Sequence, residues 1–291
     1  MPQLTRSSDR SICLVGIGLM GASFAMALKA SGYSGHLTGV SRSEETRRKA
    51  LDRGVVNTAT TDLATGVSDA DIVILCTPVR LLVEQIGRLG SQCKDGALIT
   101  DMGSTKTAII EAMNALPARL RAIGSHPMCG KETAGIDVAE ATLYHGAPWI
   151  LTRSARTDDD AFETIRALAE RVGARTREIG VERHDTLLAH ASHLPFVLSS
   201  AMVYTTEQFS QNDGDVWQVM AGGYRDTSRV AASDATMWID ILLTNADAIL
   251  GTVRDFQFNL DQFAAMLERR DEAGLAAFMA RAAAARKAKY P

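Results

Sequence analysis

Three kinds of residue in this chain could do chemistry. Gly16-Ile17-Gly18-Leu19-Met20-Gly21 follows a short apolar run and precedes an amphipathic one. In that context Gly16 permits a tight turn, Gly18 lets backbone approach a pyrophosphate, and Gly21 lets helix and strand pack closely, with the anion on the helix N-terminus. His126, in Gly124-Ser125-His126-Pro127-Met128-Cys129-Gly130, ends another β-branched run. An imidazole there suits removal of a hydroxyl proton, because its ordinary pKa of ~6.5 leaves it mostly neutral at pH 7. Gly222-Gly223-Tyr224-Arg225-Asp226-Thr227-Ser228-Arg229 sets two guanidinium groups beside a glycine turn, a fork suited to carboxylates. One of the two arginines is expected to make only a surface ion pair.

Other segments refine this. An NAD site would place Asp or Glu about 20 residues after the glycine turn. The chain instead has Ser41-Arg42-Ser43, where Arg42 suits a 2′-phosphate, so NADP is favoured over NAD, while Glu44 and Glu45 keep NAD in play. Cys76-Thr77-Pro78 closes a strand whose carboxyl end would face the dinucleotide. Ser104, in Gly103-Ser104-Thr105-Lys106, follows the next strand and could meet His126; the segment lacks full P-loop spacing. His190 and His193 lie three apart and could share a helix face, but no third ligand is evident and a metal site is not expected.

The elements that must hold these groups follow from periodicity. β-branched runs at 12–15, 36–40, 72–76, 97–101, 121–125, 149–152 and 176–179 alternate with helical patterns at 22–31, 44–53, 79–89, 106–116 and 158–172, as in a parallel, doubly wound sheet. From Glu182 onward the pattern is helical: 187–209, a long run over 233–268, and 271–289. The change of period puts a domain boundary near Gly180, giving domains 1–180 and 181–291. Apolar positions in the helical half, Trp217, Trp238, Ile239, Leu242 and Phe256 among them, read mainly as internal core, with a shared homodimer core as the second reading.

Composition narrows the partners. The 291 residues are 46% hydrophobic and 22% charged with a formal net charge of −3, which gives no pull toward nucleic acid or an anionic membrane and favours a small-molecule substrate. Cys13, Cys76, Cys93 and Cys129 are far apart with no CxxC pair, and the first apolar run is too short for a signal or membrane segment, so a cytoplasmic protein is expected.

Taken together, the segments GIGLMG, GVSR, LCTP, TDMGSTK, GSHPMCG, SHLP and YRDTSR resemble the prephenate/arogenate dehydrogenase family of tyrosine biosynthesis, in order and across nearly the whole chain. The resemblance implies a Rossmann-type α/β dinucleotide-binding domain followed by an all-α helical dimerisation domain. It also implies NAD(P)-dependent oxidative decarboxylation to 4-hydroxyphenylpyruvate or tyrosine. By the same resemblance His126 is the catalytic base, Ser104 positions it and the substrate hydroxyl, His193 is the substrate-side histidine, and Arg229 binds a carboxylate. Ser125 and Glu132 are further substrate-side candidates, Glu132 for an amino group or as a solvated loop acid. Where some members have a histidine directly after SHLP, this chain has Phe196. Two alternatives are a β-hydroxyacid dehydrogenase or imine reductase of the same architecture, and a non-catalytic NADPH sensor.

Overall fold

The computed structural model describes residues 10–131 and 133–289. They form two compact units, one ending at Asn245 and the other beginning at Ala246. In the first unit the chain runs β1 (Ile12–Val15), α1 (Leu19–Ala30), β2 (Leu37–Val40), α2 (Glu44–Asp52), β3 (Thr58–Thr60), α3 (Leu63–Val67), β4 (Ile72–Leu75), α4 (Val79–Gln92), β5 (Leu98–Asp101), α5 (Thr107–Asn114), β6 (Arg121–Pro127), β7 (Pro148–Arg153), α6 (Asp159–Arg171) and β8 (Arg175–Glu178).

These strands make one sheet in the order β3-β2-β1-β4-β5-β6-β7-β8. The first six pair in parallel, as the βα alternation requires. The sheet is not parallel throughout, however: β7 runs antiparallel to β6, and β8 pairs in parallel with β7. Among the described residues only a short 3-10 turn at Ile136–Val138 lies between β6 and β7, and without an α-helical crossover the chain can return in the opposite direction. β1, β4 and β5 are buried at every position, the mark of a sheet covered on both faces. Ile12 and Leu14 join one core with Phe24, Leu28 and Trp149, while Cys13 and Val15 join the other with Leu82, Ile86 and Ile109. The period of two along β1 thus divides its side chains between two layers.

After β8 the first unit is helical. α7 (Val181–Leu188) passes through a π-helical turn at Ala189–His193 into α8 (Leu194–Ser210). Short 3-10 turns at Gly214–Trp217 and Arg229–Ala232 flank α9 (Gly222–Ser228), and α10 (Ala235–Thr244) ends the unit's helices. The expected continuous run over 233–268 is interrupted at Asn245, whose φ of −131° and ψ of 30° leave the helical region. In the second unit α11 (Ala246–Glu268) and α12 (Glu272–Lys289) pack on each other through an edge-to-face contact of Phe263 and Phe278 at 5.5 Å between ring centroids.

Candidate active site

At the carboxyl edge of the sheet, β1 turns into α1 through the glycine segment. Gly16 has a φ of +98°, and a Cβ there would lie 2.9 Å from the Thr77 side chain and 3.0 Å from the Cys76 backbone. The turn between β4 and α4 therefore abuts the glycine turn directly. At Gly21 a Cβ would lie 2.2 Å from the Gly16 carbonyl oxygen, so only glycine lets α1 start so close to β1. A Cβ at Gly18 would meet nothing within 4 Å, which leaves open space beside the backbone. α1 begins there with no side-chain cap and no acid in its first turn. Uncapped amides at a helix N-terminus beside open space fit a dinucleotide pyrophosphate. Leu19 and Met20 form that first turn, and the Met20 carbonyl accepts a hydrogen bond from Tyr144 at 2.7 Å.

At the end of β2, Ser43 caps α2 by accepting from the Thr46 amide at 3.2 Å, and the Ser41 hydroxyl accepts from the Ser43 amide at 3.2 Å. Glu44 pairs with Arg47 and Glu45 with Lys49. Arg42 is exposed, and no described residue makes a hydrogen bond or ion pair with its side chain. In the turn after β4 the Thr77 hydroxyl donates to Gln85 at 2.7 Å, Pro78 precedes the first turn of α4, and Cys76 lies 3.6 Å from the Met102 sulfur. Burial pushes the Cys76 thiol well above its usual range, so it is a packing group.

His126 lies inside β6, opposite Ile150 of β7, and is 7% exposed. Its Nδ1 is 2.9 Å from Nε2 of His184, and Nδ1 of His184 is 2.8 Å from Oδ1 of Asp185. Asp185 also accepts from the amides of Lys106 and Thr107 at 2.8 and 2.9 Å and from the Thr107 hydroxyl at 2.6 Å. Burial opposes ionisation of Asp185, but its bonds from His184, Thr107 and Lys106 outweigh that and hold the carboxyl down at about 2. The ionised carboxylate accepts from His184 Nδ1–H. A neutral His184 then has a bare Nε2, which accepts from His126 Nδ1–H, and this leaves the lone pair of His126 on Nε2. Burial first, then the Lys106 ammonium and the neighbouring imidazoles, hold the His126 pKa well below 6.5.

Below this chain lies a fully buried ion pair. Lys106 Nζ donates to Asp101 Oδ2 at 2.6 Å and to the carbonyls of Gly103 and Thr105 at 2.7 and 3.1 Å. All three ammonium hydrogens are satisfied, which offsets much of the desolvation cost of the charge. Asp101 in turn accepts from the amides of Gly103 and Ser125 at 2.7 and 2.9 Å, so the pair ties the loop after β5 to β6.

His193 is 1% exposed, and burial lowers its pKa to about 4. It stands edge-on to Trp238, on whose face Phe196 stacks at 3.7 Å. His190, expected to share its face, is exposed, because the π-helical turn changes the angular step between them. Ser104 is half-buried and makes no hydrogen bond to His126; His184 holds the imidazole instead. Ser125 is fully buried and its hydroxyl donates to the Asp101 carbonyl, which makes it part of the strand framework. Arg225 is exposed and pairs with Asp226 at 3.6 Å, while Arg229 is exposed at the start of the 3-10 turn after α9. Lys131 bonds Glu140 at 2.9 Å and the Val138 carbonyl at 3.0 Å. Glu132 lies outside the described residues. His184, Asp185 and Asn245 carry the site's polar network without having been assigned a role from sequence. The adjacent polar pair His184-Asp185 at buried helix positions was the signal for the first two.

Comparison with known proteins decides the family. Residues 24–178 match the nucleotide-binding domain of prephenate dehydrogenase, and residues 181–281 match the domain described as its dimerization domain. The chain belongs to the prephenate dehydrogenase family. Among relatives of this prephenate dehydrogenase family member, the prephenate dehydrogenase of Lactococcus lactis is 31% identical over 92% of this chain and 74% of its own length. A solved prephenate dehydrogenase from A. aeolicus, in complex with hydroxyphenyl propionate and NAD+, superposes with a TM-score of 0.89 at 30% identity, covering 96% of this chain and 97% of that one. An arogenate dehydrogenase from Synechocystis superposes with a TM-score of 0.82 at 32% identity, covering 97% of this chain and 100% of its own.

Proposed function

We propose that this prephenate dehydrogenase family member oxidatively decarboxylates prephenate or arogenate with NAD(P), yielding 4-hydroxyphenylpyruvate or tyrosine. The observation that carries the reading is the bare Nε2 of His126, a neutral imidazole held by His184 and Asp185 at the same sheet edge as the glycine cradle. The dinucleotide, held by Gly16, Gly18, Leu19, Met20 and Gly21 with the turn Cys76-Thr77-Pro78, supplies the hydride acceptor. His126 Nε2 takes the proton of the ring hydroxyl as that carbon is oxidised, and Asp185 stabilises the resulting positive charge through His184. Loss of CO2 then makes the ring aromatic and draws the reaction forward. His193 and Arg229 hold the substrate's carboxylate or carbonyl oxygens, and Ser104 meets the ring hydroxyl from the loop after β5. Glu132 is kept as a candidate for an arogenate amino group.

The exposed, unengaged Arg42, with Glu44 and Glu45 already paired, supports NADP over NAD. The homodimer through 181–291 is supported by large exposed apolar side chains: Tyr204 at 63% and Leu243 at 61% in the first unit, Phe258 at 64% in the second. The helical run Val181–Ser210 is long and apolar enough to cross a membrane by length and composition. It also buries His184, Asp185 and His193 in the polar network, which favours a protein interface over lipid for its apolar face. Four unpaired cysteines support a reducing cytoplasm. The division into domains 1–180 and 181–291 is supported by the last strand ending at Glu178.

The test is formation of reduced dinucleotide by the purified chain, crossing prephenate and arogenate with NAD and NADP. One pair should dominate in kcat/KM, with NADP ahead of NAD. Silence in all four combinations, with tight NADPH binding retained, would replace the enzyme by a sensor.

A further inference from the structure

Asn245 sits at the end of α10, 6% exposed, and its side-chain nitrogen reaches two atoms. It is 2.8 Å from the backbone carbonyl of Asp185 and 3.1 Å from Nδ1 of His193. A carbonyl oxygen only accepts, so the atom facing it is the amide nitrogen and the side chain has one orientation. One amide hydrogen is thereby committed to Asp185. The other points at His193 Nδ1, which must be bare to receive it. A neutral imidazole with a bare Nδ1 carries its proton on Nε2, and burial keeps His193 neutral at physiological pH. Among the described residues no protein group takes that Nε2–H.

We propose that Asn245 is a positioning residue that holds His193 in the tautomer protonated on Nε2, so that the site offers one imidazole acceptor at His126 and one imidazole donor at His193. The two rings reach opposite states by opposite means. A carboxylate at the end of the His126 chain pulls protons inward along it, whereas an amide N–H beside His193 pushes the proton to the far nitrogen. The consequence for recognition, which rests on the proposed reaction, is that His193 meets a carboxylate or carbonyl oxygen of the substrate. A substrate ammonium finds no acceptor there.

Full-length protein labelled with 15N-histidine reports the tautomer directly in two-bond proton–nitrogen correlation spectra, with the His193 signals assigned by their loss in His193→Gln. The expected result is a protonated Nε2 and a bare Nδ1 in the parent chain. Asn245→Ala should mix the two tautomers, and Asn245→Asp, whose carboxylate accepts, should move the proton to Nδ1. In turnover, Asn245→Ala should raise KM for the cyclohexadienyl substrate about tenfold, the worth of one hydrogen bond, with much less change in kcat or dinucleotide affinity. A parent His193 protonated on Nδ1, or an unchanged Nε2–H tautomer in both variants, would overturn the proposal. The parent spectrum decides even where a variant fails to fold. The expected spectrum without turnover of either substrate upholds the tautomer and removes the reaction.

Discussion

The glycine cradle and the histidine chain lie at one edge of the same sheet, yet they are built from different material. Six consecutive residues make the cradle, and its working parts are backbone amides and the absence of side chains at Gly16 and Gly21. The histidine chain is made of side chains from distant segments: His126 and His184 are 58 positions apart, and Thr107 and Asp185 are 78. The first site fails when an atom is added, the second when one is removed. The cradle's geometry fits whatever presents a pyrophosphate, whereas the chain sets the location of single protons.

The sharpest way to break this contrast is at the chain. His126→Ala should lower kcat by about 10³-fold, within the 10² to 10⁴ range of a general base, while dinucleotide affinity measured by calorimetry stays at the parent value. A kcat within about tenfold of the parent would place the base elsewhere.

Next in size is a pH effect that belongs to the chain alone. His126, His184 and His193 all have pKa values below 6.5 in the folded protein, His193 at about 4, while unfolded histidine stays near 6.5. Between those values the unfolded chain binds more protons, so stability is intact above about pH 6.5 and falls as pH drops. His193 alone accounts for roughly 3 kcal/mol by about pH 4. Asp185 opens a second, lower window, with stability lost as pH falls from 3.8 to about 2. Urea midpoints between about pH 7 and pH 4 test the first window, and a flat profile would mean the imidazoles are not buried neutral.

The smallest effect is at the cradle. Gly21→Ala places a Cβ 2.2 Å from the Gly16 carbonyl, so the turn must shift by an ångström or so and dinucleotide Kd should rise about tenfold. At saturating dinucleotide kcat should be retained, because the histidine chain is untouched. A fall in kcat without a change in Kd would show that the two sites are not separable.

The same difference governs what could be read from the residues. GIGLMG announces its own geometry because every contact it needs is local, and β1, α1 and β2 follow from their periodicity. β3 at Thr58–Thr60 and α3 at Leu63–Val67 escaped notice, being three and five residues long with no apolar repeat. The reversal at β7 was equally silent, since strand direction depends on where the chain returns and not on strand composition. His126 was legible as a candidate base. Its partner was not, because Ser104 and His184 are both polar residues within plausible reach, and only the packing of α7 against α5 and β7 chooses between them. Asn245 was hidden inside an apparently continuous helical run.

The π-helical turn at Ala189–His193 has its own arithmetic. His184 and His193 are nine positions apart, which in a regular α-helix is a rotation of roughly 180°, opposite meridians of the cylinder. A π turn absorbs one extra position, and the offset falls to roughly 80°, with both imidazoles turned toward the same side. A chain one residue shorter between those histidines would reach that offset with an unbroken helix. Bulge and deletion are therefore interchangeable spellings of one geometry, and an alignment gap at this point would mark a change of phase rather than a loss of the site.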